Sequence, residues 1–270
     1  MTFWQDHYRR PEVKEVITSH SKYDDIARSG NGDGYTWYHK NDKGKHHINL
    51  SDDHEYDLIT NCHRTLYWTL NLFDMPFFSI DWNGITKEES PYKSREYTRA
   101  YTFGVDIDTV DKVNGHGANI EDPEIKAAVE ACAQHYANRI REHAPESVHV
   151  LFSGGGIYVL LHHRACWQYY ENFGNGHDGR PWDYWLNILI DAVNLYLNDI
   201  RIDFENVYPQ HVGKVKPDIL NNSKRVFKSM FSVHKRHDLA VIPLDPKEII
   251  IDFNRATLPL SEEVIESGRK

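Results

Sequence analysis

Two aspartates one residue apart, Asp106 and Asp108, are where this sequence first offers chemistry. They close an apolar, β-prone run, Tyr101-Thr-Phe-Gly-Val, and side chains two apart on a strand leave the same face. Carboxylates held that close repel each other and are costly to bury, so the pair makes sense with divalent cations between them. Phosphoryl-transfer sites are built this way, with Mg2+ or Mn2+ clamping the attacking and leaving oxygens. Alone, Asp-x-Asp is an ordinary solvated strand end, and its meaning depends on the rest of the chain.

Two later stretches bear on it. In Phe152-Ser153-Gly-Gly-Gly156-Ile-Tyr158, three glycines between two strands let backbone N–H groups approach a ligand, and Ser153 adds a hydroxyl, a combination that suits a triphosphate. From Lys214 to Arg236 there are seven Lys/Arg against one Asp, in a chain whose net charge is −9. The basic side chains there are interleaved with apolar ones, so the fold places some while others reach toward an anionic partner. The lone acid, Asp218, is a candidate third metal carboxylate. Asp203, at the end of Ile200-Arg-Ile, is its rival.

The elements that must position these residues are read from periodicity and punctuation. Tyr97 to Asp108 reads as one strand ending at the carboxylates. Asp122-Pro123 opens a helix whose apolar face is Ile125, Ala128, Val129, Cys132, Tyr136 and Ile140. Ser147–Phe152 and Ile157–Leu161 read as strands, Trp167–Pro181 as an insertion loop, Trp182–Leu197 as a helix, Ile200–Phe204 as a short strand and Asp238–Leu244 as a strand. Upstream, Ser29 to Gly34 is a turn cluster without the calcium-loop pattern, and Tyr35 to Leu50 reads as a hairpin that leaves His46 and His47 on a solvated strand. Ser51-Asp-Asp caps a helix through Tyr56, Ile59, Cys62 and Leu66, and Pro76–Asp81 is a short strand. Residues 1–75 read as an accessory α/β segment, 76–245 as the core that carries the acidic, glycine-rich and basic stretches, and 246–270 as a polar tail, together one compact globular unit.

Composition narrows the class. With 270 residues, 26% of them charged and 13% aromatic, the chain is long and apolar enough for a packed core. Its acidity argues against general coating of nucleic acid. There is no basic leader followed by an apolar stretch, and no apolar run nears the ~20 residues a bilayer requires, so a non-secreted protein with no membrane partner is expected. Cys62, Cys132 and Cys166 are odd in number and scattered, which fits the reducing cytoplasm. Cys132 and His135 form a Cys-x-x-His with no second pair nearby, and Cys132 lies on an apolar stripe, so a buried thiol rather than zinc is expected.

In this order the three features resemble those of the archaeo-eukaryotic primase superfamily, the primase small (catalytic) subunit and its primase-polymerase relatives. Phe103-Gly-Val-Asp106-Ile-Asp108 is similar to that family's strand-borne Asp-x-Asp, and Ser153-Gly-Gly-Gly-Ile-Tyr158 to its Ser-Gly-x-Gly-x-His loop. Asp218 with Phe227-Lys228-Ser-Met-Phe-Ser232-Val-His234 is similar to its Asp followed by Lys/Arg-Ser-x-x-Ser-x-His. The resemblance implies an α+β fold, with an RRM-like antiparallel sheet on helices and an N-terminal α/β unit. It implies that Asp106, Asp108 and Asp218 hold Mg2+ or Mn2+, and that Ser153, Gly155, Gly156, Tyr158, Lys228 and His234 meet an incoming NTP or dNTP. Lys224, Arg225, Lys235 and Arg236 would face a single-stranded DNA template, with a primase large subunit or a helicase as further partners. The implied activity is template-directed nucleotidyl transfer; the alternatives are a catalytically silent primase-like subunit and an end-joining or repair polymerase. The sequence departs from the family in having Tyr158 where the loop usually ends in His, and in lacking a Cys/His zinc module between Asp111 and Ser147.

Overall fold

The computed structural model describes residues 2–19, 37–41, 44–48, 56–57, 60–61, 64–73, 96–110, 117–219, 221–222, 225–234 and 238–269. Helices α1 (Phe3–Tyr8) and α2 (Pro11–Ser19) come first, then strands β1 (Trp37–Asn41), β2 (Gly44–Ile48), β3 (Tyr67–Thr69), β4 (Asn71–Phe73), β5 (Thr98–Tyr101) and β6 (Phe103–Thr109). Helix α3 (Pro123–Arg141) leads to β7 (Val148–Phe152) and β8 (Gly156–Leu161), followed by α4 (Trp167–Phe173) and α5 (Trp182–Val207). The chain ends with β9 (Val215–Asp218), β10 (Val226–Lys228), β11 (Ile242–Leu244), α6 (Phe253–Ala256) and α7 (Glu262–Ser267).

One antiparallel sheet, in the order β11-β7-β8-β6-β9, forms the centre. Its β6-α3-β7-β8-α5-β9 connectivity is a βαββαβ unit, and the protein is α+β with antiparallel sheets. Strand alternation divides the faces. Val105 and Ile107 are fully buried on the side where α3 and α5 pack, while Asp106 and Asp108 take the other. Helix α3 starts as its sequence dictates: the Asp122 carboxylate accepts from the N–H groups of Glu124 (2.8 Å) and Ile125 (3.3 Å), with Pro123 behind it. A second sheet, β10-β3-β1-β2, is built mostly from the N-terminal segment but takes its edge strand from the basic stretch. The hairpin expected over 35–50 is present as β1 and β2, paired from Trp37↔Ile48 to Asn41↔Gly44.

Several expectations are corrected. The strand read over 97–108 is two strands in different sheets: β5 pairs with β4, and β6 belongs to the central sheet. Ile200–Phe204 is not a strand but the continuation of α5, because Leu197, Ile200 and Phe204 extend its buried face at helical spacing. The insertion loop over 167–181 begins as helix α4, anchored by buried Tyr170. Leu66 lies in the extended lead into β3 rather than in a helix, although residues 56–57 and 60–61 are helical. Only Ile242–Leu244 of the strand expected over 238–244 pairs with β7. The stretch read as a polar tail carries Ile249, Ile251, Leu258, Leu260, Val264 and Ile265 into the core. The strand expected over 76–81, the turn cluster at 29–34, Cys62 and Asp111 lie outside the described residues.

Candidate active site

The carboxylates gather where β9 meets β6. Asp106 and Asp108 project from one face of β6, and Asp218, the last residue of β9, stands directly opposite Asp106 in the antiparallel register. The Asp106 side chain is only 21% exposed. Its Oδ1 is buried with no hydrogen-bond partner among the described residues. Arg225 lies between the strands, with Nη1 2.8 Å from Asp218 Oδ2 and Nη2 3.6 Å from Asp106 Oδ2. Burial, and then the charge of Asp108, push the Asp106 carboxyl up to about 7, against the opposing pull of Lys228 and Arg225. Asp108 is raised too, through partial desolvation of its carboxyl, with Lys228 opposing and Asp218 adding to the rise.

The facing cation comes from the other sheet. Lys228 ends β10, where it pairs with Tyr67 of β3. Its Nζ donates to the Ser153 carbonyl (3.1 Å) and lies 3.5 Å from the Tyr158 hydroxyl. Tyr158 stands opposite Asp106 in the β6–β8 register and is 4% exposed, with Phe227 packed edge-on against its ring at 4.5 Å. Burial and the neighbouring Asp106 hold its hydroxyl well above the usual phenol range, so it is a neutral donor here.

The Ser-Gly loop closes a third side. Ser153 N–H donates to the Gly156 carbonyl (2.9 Å), closing the turn that enters β8. Gly154 has φ +85°, and a Cβ there would stand 2.8 Å from the Cβ of His234. At Gly156, opposite Asp108, a Cβ would meet the Ile107 carbonyl at 2.4 Å. These two glycines are therefore required by the chain's own packing, whatever ligand approaches. The His234 ring lies against the loop, its Nε2 3.6 Å from where a Cβ on Gly155 would be. Its backbone is held at both ends: N–H donates to Leu239 (2.7 Å), and the carbonyl accepts from Arg64 Nε (2.7 Å).

The structure brings Asp106, Asp108, Asp218, Ser153, Gly155, Gly156, Tyr158, Lys228 and His234 to one end of the sheet, together with Arg225. Asp203 is elsewhere, on α5, with Oδ2 3.1 Å from His135 Nε2 and 3.9 Å from Arg139 Nε. Cys132 is a fully buried thiol on α3. Lys224, Lys235 and Arg236 lie outside the described residues. Sequence reasoning missed what Ser229 and Ser232 do: both are fully buried and tie the basic segment to residue 66. Ser232 Oγ accepts from Leu66 N–H (2.7 Å), and Ser229 N–H donates to the Leu66 carbonyl (3.0 Å). It also missed Arg225 on the carboxylates, a contact with no local sequence signal.

Carboxylate oxygens are the donor type a hard divalent cation takes, and the buried Asp106 Oδ1 is the atom such an ion would satisfy if it displaced Arg225. Among the described residues no three His, Cys, Asp or Glu side chains converge closely enough to share an ion, and Arg225 takes the place of a cation between Asp106 and Asp218.

Neither the protein-family models nor the curated proteins match this sequence. Among solved structures, the polymerase domain from Mycobacterium tuberculosis Ligase D in complex with DNA is similar with a TM-score of 0.49 and 12% identity, over 97% of this chain and 86% of that one. A likeness that slight transfers nothing to this chain, and the functional reading rests on its own residues. Among the described residues no helix is long and apolar enough to cross a membrane.

Proposed function

We propose that the protein is a nucleotidyltransferase that extends a 3′-hydroxyl on a single-stranded DNA template, as a DNA primase or primase-polymerase using NTPs or dNTPs. One observation carries this reading: Asp106 and Asp218 face each other across β6 and β9, beside Asp108, with a buried carboxylate oxygen that has no hydrogen-bond partner among the described residues and Lys228 opposite. Mg2+ or Mn2+ that displaced Arg225 and drew Asp106, Asp108 and Asp218 together would lower the proton affinity of the attacking hydroxyl and offset charge on the phosphoryl oxygens.

The remaining steps belong to the chain. Lys228 supplies a point charge to the polyphosphate, while His234 and Ser153 at the loop, and Tyr158 as a neutral hydroxyl, supply hydrogen bonds. The 3′-oxygen forms a bond to the α-phosphorus, the bond to the bridging oxygen breaks, pyrophosphate leaves and the hydroxyl proton passes to solvent. The protein's contribution is alignment and fixed charge. Lys224, Lys235 and Arg236 would give the acidic chain its local basic face for template phosphates, whereas Arg225, expected there too, is turned onto the carboxylates.

A second reading is favoured by Arg225, whose guanidinium already pairs with Asp218 and lies against Asp106. Under it, the protein is a catalytically silent, nucleic-acid-binding subunit. Incubation with Mn2+, labelled nucleotides and a single-stranded template, with and without primer, separates the two. Product that disappears in Asp106→Asn and Asp108→Asn supports the transferase. Product on primed templates alone marks an end-joining or repair polymerase, and template binding without product establishes the silent subunit.

A further inference from the structure

We propose that Asn221, gripped by Asn194 of α5, is the positioning residue of the carboxylate site and sets where Asp218 and Arg225 meet Asp106. The β6–β9 ladder ends at the pair Asp106↔Asp218. Two residues back along β6, the Gly104 N–H still needs an acceptor, and it finds the side-chain oxygen of Asn221 at 2.8 Å. A side chain thus continues the ladder where the backbone of β9 has stopped.

The amide is fully used. Asn221 Nδ2 donates to Asn194 Oδ1 (2.9 Å) and to the Ile219 carbonyl (3.0 Å). Its backbone N–H lies 3.2 Å from the same Asn194 oxygen and 2.7 Å from the Ile219 carbonyl. Asn194 Nδ2 returns a bond to the Asn221 carbonyl (3.3 Å). Asn221 is 2% exposed, so these bonds form away from competing water. The next carbonyl, that of Asn222, accepts from the Tyr101 hydroxyl (3.0 Å) and from the Arg225 N–H (2.9 Å). Asn221 and Asn222, which lie between Asp218 and Arg225 in the chain, are therefore pinned to β6 through Gly104, to β5 through Tyr101 and to α5 through Asn194. Asp218 and Arg225 are the ones that engage each other and Asp106.

The inference rests on the reading of Asp106 and Asp218 as cation ligands, and its test separates the two. Hydrogen exchange on metal-free protein measures the clamp, and Mn2+ titration followed by electron paramagnetic resonance measures the site. The variants are Asn221→Ala, Asn194→Ala and Asn194→Asp, which keeps the accepting oxygen. The control is Tyr136→Phe, which removes a bond to the Leu197 carbonyl (3.2 Å) at the α3–α5 contact and touches no site residue. The two alanine variants are expected to speed exchange at Gly104 and Arg225 by about tenfold or more beyond the control, with Asn194→Asp restoring it. They are expected to weaken Mn2+ binding about tenfold, as loss of a ligand's supporting contact does, with the control unchanged. Exchange in Asn221→Ala no faster than in Tyr136→Phe, or Mn2+ affinity equal to that of the unaltered protein, overturns the inference. Faster exchange in a protein that binds no Mn2+ supports the clamp and overturns the cation reading.

Discussion

Replacing Asp106 with Asn should stabilise the metal-free protein at pH 8 while abolishing what we propose it does. The Asp106 carboxyl holds its proton up to about 7 in the folded protein, against 3.8 for an ordinary aspartate. Between those values the folded state binds the proton and the unfolded chain does not, so stability falls as pH rises and the loss is complete above 7. At about 1.36 kcal/mol per pH unit the span sets a ceiling of roughly 4 kcal/mol. Sharing of the charge with Asp108 and Arg225 lowers the expected gain to about 1–3 kcal/mol. The amide of the Asp106→Asn variant has no such proton to lose. Urea unfolding in EDTA should therefore find the variant more stable at pH 8, with an advantage that is smaller at pH 5 and vanishes only below the ordinary aspartate range. Mn2+ at a hundred times Kd should shrink or invert that gap, because only the unaltered protein gains from ligand binding, by about 2.7 kcal/mol. A variant no more stable at pH 8 than at pH 5, relative to the unaltered protein, would refute the picture of a proton-holding carboxylate pair.

Other perturbations have equally definite outcomes. Lys228→Met removes the ammonium that opposes the rise of both Asp106 and Asp108; nucleotide turnover should fall by about 10²-fold with KM rising, and an unchanged KM contradicts the phosphate role. Arg225→Gln leaves Asp218 without its 2.8 Å partner and lifts Asp106 further; urea unfolding should show a loss of about 1–2 kcal/mol at pH 8 and less at pH 5. Gly154→Ala forces an L-residue to φ +85° and drives its Cβ to 2.8 Å from that of His234; a loss of about 1–2 kcal/mol in urea is expected, together with weaker nucleotide binding in a fluorescence titration.

Local features of the site were legible in the sequence, and its distant contacts were not. The alternation of Asp106 and Asp108 with Val105 and Ile107 placed both acids on one face, because strand geometry needs only the neighbours along the chain. The register that sets Asp218 opposite Asp106 depends on a strand that arrives after three helices and two strands, and no local pattern encodes it. The glycines at 154 and 156 pointed to a tight loop, but the reason each is needed, His234 at one and the Ile107 carbonyl at the other, is tertiary. In α5 the β-branched run Ile200-Arg-Ile carries a strand propensity that the helical face of Leu197, Ile200 and Phe204 overrides through burial. Over 249–265, charged residues interrupt the apolar ones closely enough to mask a packed segment.

That Lys228 reaches the carboxylates from a different sheet has a consequence for how the chain comes together. The acids become neighbours when the βαββαβ unit closes, yet their counter-charge is in place only when β10 has docked on β3, a pairing between distant parts of the chain. A nascent or partly folded molecule with the central sheet alone would hold clustered negative charge without Lys228 against it. Loop-closure entropy makes that last pairing slow. Synthesis of the edge strand and its capture by β3 thus act as the step that completes the site, and a chain halted before residue 228 would be folded in part but electrostatically unfinished.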